Sequence, residues 1–154
     1  MGERAGNADI SEIALALRCL YDVRVVLDLT KAREVSEFVQ RASGYSLEPW
    51  KPVVGQNLFM RESGAVASQF SIPEAIEPYS SELVHADRCI VLGKKSGLDS
   101  IDLKAKELGL PIVAEQRPSI LAAVKKRAIA KRGLLTDDEF REIASSASSA
   151  PSGR

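Results

Sequence analysis

The sequence predicts an α+β fold that is mainly helical. Successive segments place apolar residues at the i, i+3, i+4, i+7 spacing of a helix buried on one face. The compact apolar run Cys89-Ile-Val-Leu92, closed by Gly93, reads as a buried strand. Capping and stop residues sit at the ends of several helical stretches, so the periodicity and the punctuation agree.

The first helix is predicted over 9–21, with Ile10, Ile13, Ala14, Leu17, Leu20 and Tyr21 as its stripe. Asp9 is placed to cap it, and Glu12 stands at the capping-box position. Val23–Leu27 reads as a short strand or an extended connector. A second helix fits Thr30–Ser43 on the stripe Val35, Phe38, Val39 and Ala42, stopped by Gly44. Residues 45–57 carry Pro49, Trp50, Pro52 and Gly55, which is linker chemistry. A short helix is expected within 58–70. Beyond the Cys89–Leu92 strand, a helix is expected over 97–108, with Leu98, Ile101, Ala105 and Leu108 on one face. Pro118 suits the first turn of another, running to Gly133. The last helix opens on Thr136-Asp-Asp-Glu139, a capping box flanked by Leu135 and Phe140 as a hydrophobic staple. The Ser/Ala/Pro/Gly-rich end, 146–154, is expected to be a disordered tail.

At 154 residues the chain suffices for a modest domain with its own core. Twenty-one basic residues balance 21 acidic ones, which speaks against a global polyanion binder. Neither a secretory leader nor an apolar stretch of membrane-spanning length occurs, so a cytoplasmic protein with no membrane partner is expected. Cys19 and Cys89 lie in apolar segments and read as buried free thiols. The one histidine, His85, reads as a surface residue and leaves no basis for a complete zinc site or a Ser-His-Asp triad. Arg117–Arg132 holds six basic residues and no acidic one, yet Ile120, Leu121, Val124 and Ala128 form a stripe along it. A core-packed helix with a solvated basic face explains both facts, and no nucleic-acid partner is expected.

Two segments carry chemistry. Gly2-Glu-Arg-Ala-Gly-Asn7 is a compact loop with two glycines, a carboxylate, a guanidinium and an amide oxygen. Asn7 is either a helix cap or a hard oxygen ligand for a divalent cation. Phe59-Met-Arg-Glu-Ser-Gly64 offers Arg61, suited either to bidentate capture of a carboxylate or phosphonate or to a structural ion pair.

The order and approximate spacing of these blocks carry a family resemblance. Gly2–Asn7, Leu27-Asp-Leu-Thr30, Ser43-Gly44, Lys51-Pro-Val-Val-Gly55, Phe59–Gly64 and Val91-Leu-Gly-Lys-Lys-Ser-Gly97 resemble the C-terminal region of the 2-isopropylmalate, homocitrate and citramalate synthases. The resemblance covers about residues 2–110. It implies the last loop and helix of a TIM barrel, followed by small post-barrel subdomains. The expected divisions are 1–22 completing the barrel, 23–57 a helix and linker, 58–110 and 111–145 two subdomains, and 146–154 the tail.

The resemblance further implies that Asn7 is a ligand to a catalytic divalent metal (zinc, magnesium or manganese), with Glu3 and Arg4 bordering the substrate pocket. The remaining ligands, an Asp and an H-x-H pair, belong to a barrel of about 200–250 residues that the resemblance puts before this loop. Where the family commonly has F-x-H-E-x-G-I-H, this chain has Arg61 and Val66, so it lacks the imidazole that helps activate the acyl-CoA methyl group. Arg61 and Glu62 remain the candidate catalytic residues of that segment. Lys94 and Lys95, in a G-K-H-S-G-like turn, are candidates for the phosphates of acyl-CoA. The implied function is the small subunit of a split condensing enzyme, with a barrel-bearing large subunit as partner in a hetero-oligomer with a dimeric core. The alternative is a non-catalytic regulatory or binding protein derived from the same region.

Overall fold

The computed structural model describes residues 2–4, 6–64, 69 and 72–149, with side chains through 147. It is an α+β structure, mainly helical with one two-stranded sheet. The chain divides into two compact units, Met1–Phe59 with Glu77–Arg88, and Met60–Ile76 with Cys89–Arg154.

In the first unit, helix α1 spans Ile10–Leu20. Asp9 caps it, accepting from the Ser11 N–H at 2.8 Å and the Glu12 N–H at 3.2 Å. Glu12 does not complete a capping box, because its carboxylate pairs with Lys51 instead. The buried residues of α1 are Ala14 and Leu15. Most of the expected stripe is bare: Ile10 is 66% and Leu20 75% exposed, and Ile13, Leu17 and Tyr21 are exposed too. Val23–Leu27 is an extended connector and not a strand. A 3₁₀ turn, Leu29–Lys31, then precedes α2, Ala32–Ser43, so the α-helix starts two residues later than the periodicity suggests. Asp28 holds that turn by accepting from the Thr30 N–H and hydroxyl at 3.0 and 2.6 Å. Gly44 stops α2 at φ 69°, a left-handed conformation that glycine adopts without penalty.

The proline-rich segment 45–57 contributes to this unit's core. Val53, Val54 and Phe59 join Ala14, Leu15, Leu29, Val84 and Ala86 in one buried cluster. Tyr79 stands edge-on to Phe59, with ring centroids 5.7 Å apart, a favourable aromatic arrangement. His85 is exposed, as expected, and ends a 3₁₀ turn, Ser81–Val84, in the left-handed region.

In the second unit Met60–Arg61 forms strand β1, parallel to β2, Cys89–Ile90, in the register Met60 with Cys89 and Arg61 with Ile90. The apolar run after residue 88 takes up the backbone groups of 60–61. Gly64 is helical, and residues 65–68, on which the rest of the expected short helix falls, lie outside the described residues. The strand run continues to Leu92, which bridges antiparallel to Leu135, the Leu135 N–H donating to the Leu92 carbonyl at 2.8 Å.

Helices α3 (Leu98–Glu107), α4 (Arg117–Lys131) and α5 (Asp137–Ser149) complete this unit, α4 packing on both others. Its core gathers Ile90, Leu92, Ile101, Ala105, Ile120, Val124, Ala128, Leu135 and Phe140. Leu98 is exposed and Leu108 only partly buried, so the real α3 face is narrower than expected. The capping box at α5 is reciprocal: Thr136 N–H donates to Glu139 at 2.7 Å, and Glu139 N–H to the Thr136 hydroxyl at 3.3 Å. Helix α5 runs through Ser149, whereas the Ser/Ala-rich composition led to an expected tail from 146. Alanine sustains a helix well, and Ala144 is buried, so packing carries the helix past the serines. The basic face of α4 is partly neutralised, Arg127 meeting Glu142 at 2.9 Å, Lys131 meeting Glu139 at 2.8 Å, and Arg117 pairing with Asp102.

The cysteines correct another expectation: Cys19 is exposed and Cys89 half-buried, neither in a disulfide. Among the described residues no helix is long and apolar enough to cross a membrane.

The Glu139 carboxyl is drawn from an ordinary 4.5 down to about 2, first by its hydrogen bond from Lys131 and then by the Thr136 N–H. A depressed carboxyl stabilises the folded state above its unfolded pKa and loses that contribution as pH falls through the folded value. The melting temperature of the chain should therefore fall between about pH 4.5 and 2, and Glu139→Gln should flatten that part of the profile. Thermal melts across this range check it.

Candidate functional site

The predicted site residues fall into two groups, one in each unit. Glu3, Arg4 and Asn7 lie in the first unit, and all three are exposed. Their loop is a tight turn in which the Gly6 N–H donates to the Glu3 carbonyl at 3.0 Å and Arg4 sits at φ 56°. The Asn7 side chain folds over Gly2, where an added Cβ would come within 2.9 Å of Asn7 Cγ. The sequence left Asn7 as cap or ligand, and the cap is Asp9. The Asn7 side chain is thus not the cap of α1.

One amide oxygen does not hold a cation. Zinc needs about four ligands and magnesium about six, and among the described residues no three His, Cys, Asp or Glu side chains gather as a metal site. The donor set fits one ligand's contribution to an ion, not a complete site.

The second group is built from two blocks far apart in sequence. Glu62 follows β1, and its carboxylate accepts from the Lys95 N–H at 2.8 Å. Ser100, at the start of α3, donates its hydroxyl to the Glu62 carbonyl at 3.3 Å and accepts from the Gly97 N–H at 3.3 Å. Buried Ser96 accepts from the Gly93 N–H at 2.9 Å, closing the turn on itself. Gly64 and Gly97 lie backbone to backbone: a Cβ on Gly64 would stand 2.7 Å from Gly97 Cα, and one on Gly97 2.9 Å from Gly64 Cα. A Cβ on Gly93 would collide with the Glu62 carboxylate. Arg-Glu-Ser-Gly64 and Gly93-Lys-Lys-Ser-Gly97 thus form one interlocked structure, with Glu62 as its clasp.

Arg61 is half-buried, and its guanidinium donates to the carbonyls of Met60 at 3.0 Å and Ile76 at 3.5 Å. Lys94 and Lys95 are exposed on the turn. Val66 lies outside the described residues.

Two charged centres were not singled out by the sequence. Lys51, from the Lys51–Gly55 block, pairs with Glu12 and reaches Asp9 at 3.4 Å. Burial alone would raise the Asp9 pKa, but the Glu12 and Ser11 N–H groups and the Lys51 ammonium outweigh it and lower it. This ties residues 51–55 to the start of α1, directly after the Asn7 loop. The signal was available in the acidic first turn of the helix and the lone Lys of an otherwise apolar block. Lys104 is buried between Glu107 and Asp137, both at 2.9 Å. Burial opposes its charge, yet the two carboxylates prevail and raise its pKa. Its role is to join α3 to α5.

The class of protein these blocks resemble is the acyl-condensing synthases for homocitrate, isopropylmalate and citramalate, and the likeness is measurable along nearly the whole chain. Homocitrate synthase 1 of Nostoc sp. is 36% identical over 144 residues, 93% of this chain and 38% of that protein. The 2-phosphonomethylmalate synthase of Streptomyces rubellomurinus is 36% identical over 93% of this chain and 39% of its own length. The 2-isopropylmalate synthase 2 of Caldanaerobacter subterraneus subsp. tengcongensis is 39% identical over 91% of this chain and 37% of its own. The chain thus spans well under half the length of these relatives, consistent with their C-terminal region. No family model matches it.

Gly64→Ala should destabilise the second unit by roughly 1–3 kcal/mol, because neither facing backbone can yield without breaking the clasp. Gly133→Ala, where an added Cβ meets nothing within 4 Å, serves as the control and should stay within about 0.5 kcal/mol. Urea unfolding of both variants reads the difference.

Proposed function

We propose that this chain is the C-terminal portion of a synthase that condenses an acyl-CoA with a 2-oxo acid, working only with a barrel-bearing partner. The single observation behind the synthase reading is the match to such synthases over 93% of the chain. Two features of the structure support it. Asn7 is not used as a helix cap, and the α1 stripe of Ile10, Ile13, Leu17 and Leu20 is uncovered, as a helix lacking the barrel strand beneath it would be.

In this reading Asn7 contributes one oxygen to a divalent cation whose other ligands come from the barrel. A bound cation of this kind supplies a Lewis acid to the 2-oxo carbonyl. Glu3 and Arg4 border the pocket and orient the acid. Glu62 acts as a positioning residue: it fixes the Gly93–Gly97 turn, so that Lys94 and Lys95 present their ammonium groups to the phosphates of acyl-CoA. Arg61 is held to the backbone and stabilises the same segment.

A second reading, a non-catalytic regulatory protein, draws on Arg61 and Val66 occupying positions where the family commonly has histidine. One chimera separates the two. The part of Nostoc homocitrate synthase 1 that this chain does not match would be joined to residues 1–154, and 2-oxo-acid-dependent release of CoA thiol measured. The synthase reading expects release. It also expects Asn7→Ala to lower kcat/KM by more than the roughly 10–100-fold typical of residues one shell further from a metal. A folded chimera that binds a divalent cation yet releases no thiol supports the regulatory reading.

A further inference from the structure

The loop that carries Asn7 is exposed through Ala8, and its Gly6 N–H bonds back to the Glu3 carbonyl within the loop itself. Asp9 is the first half-buried residue on the way into α1, and its carboxylate has two tasks. Oδ1 accepts from the Ser11 and Glu12 N–H groups, while Oδ2 faces the Lys51 ammonium at 3.4 Å. The same ammonium pairs with Glu12, so Lys51 bridges both carboxylates at the entrance of the helix. We propose that Lys51 is a positioning residue, which fixes Asn7 for a divalent cation by holding Asp9. The inference rests on the synthase reading, in which Asn7 is a ligand.

The turn that delivers Lys51 is itself fixed. The Gly55 N–H donates to the Lys51 carbonyl at 2.8 Å, and a Cβ on Gly55 would stand 2.5 Å from that oxygen. Arg33 donates to the Gly55 carbonyl at 3.1 Å. Val53 sits at φ 68° and is 2% exposed. A β-branched residue in the left-handed region is an outlier, and it persists only where its surroundings over-determine it. The ammonium therefore projects onto Asp9 from a rigid support, and a single residue, Ala8, separates Asp9 from Asn7. Without the bridge Asp9 keeps only its helix-capping bonds, and its displacement passes directly to the Asn7 amide. The sign of the effect separates this role from plain electrostatics. An ammonium near a cation repels it, so charge alone predicts tighter cation binding when Lys51 is neutralised. Positioning predicts weaker binding.

Mn2+ titration of the chimera containing residues 1–154, followed by the electron paramagnetic resonance of the free ion, tests it. Asn7→Ala should weaken binding. Lys51→Met and Lys51→Gln should each raise the Mn2+ dissociation constant by roughly 10–100-fold, as loss of an outer partner of a metal ligand does, with the helical circular dichroism unchanged. Lys51→Arg, which keeps the charge and the reach, should recover most of the affinity. In an Asn7→Ala background Lys51→Met should have no further effect, because it acts through Asn7. A merely structural lysine would lower the melting temperature and leave the Mn2+ affinity of the folded protein where it was. Lys51→Met and Lys51→Gln binding Mn2+ as tightly as wild type or tighter, while Asn7→Ala weakens it, would overturn the proposal and leave the synthase reading standing. Equal losses from Lys51→Met with and without Asn7 would overturn it too. If Asn7→Ala binds Mn2+ like wild type, the synthase reading and the proposal fall together.

Discussion

The second unit depends on the backbone of residues 61–64 lying directly on the turn that precedes α3. Gly64 and Gly97 permit that approach, and Glu62 locks it by accepting from the Lys95 N–H. The lock has consequences in both directions along the chain. It holds β1 in register with β2, and it sets the start of α3, through Ser100, from which Ile101 and Ala105 enter the core shared with α4 and α5. Buried polar atoms in this small region find partners within it, as groups removed from water must. The same construction leaves Lys94 and Lys95 projecting from a rigid turn, and rigid support is what a binding residue needs.

The first unit is balanced differently. Its core is a modest cluster built from Ala14, Leu15 and Leu29 on one side and residues of 53–59 and 84–86 on the other. More large apolar side chains of α1 and α2 face outward than inward. A monomeric soluble protein rarely exposes contiguous apolar patches of this kind. The α1 stripe is the face that the proposed synthase reading would set against a barrel. Lys51 anchors this unit at the point where the Asn7 loop enters α1, so the loop is held by an ion pair rather than by depth of burial.

What the sequence made legible followed from local rules. The Asp9 cap, the Gly44 stop, the Pro118 start and the Thr136–Glu139 box are each settled within a few residues, and each stands where expected. Periodicity located α1 and α2, and the apolar stripe of α1 is exposed, as expected of the chain by itself, while its buried residues are Ala14 and Leu15. At Met60–Arg61 and after 146 tertiary partners decided the outcome: the β2 run for the strand, and core packing for the end of α5. Within the candidate site, the residue types were readable in sequence. The joining of Glu62 to Lys95, 33 positions away, was not, because a carboxylate accepting a distant backbone N–H leaves no periodic trace.

The central claim is that this chain forms part of a larger synthase and that α1 lies against the barrel. Amide hydrogen exchange over Ile10–Leu20 tests it most directly, read in the isolated chain and in the barrel-bearing chimera. The account predicts fast exchange at α1 in the isolated chain and protection at least about tenfold greater in the chimera, with α3 to α5 unchanged, since only α1 gains a packing partner. Equal protection of α1 in both proteins would contradict it.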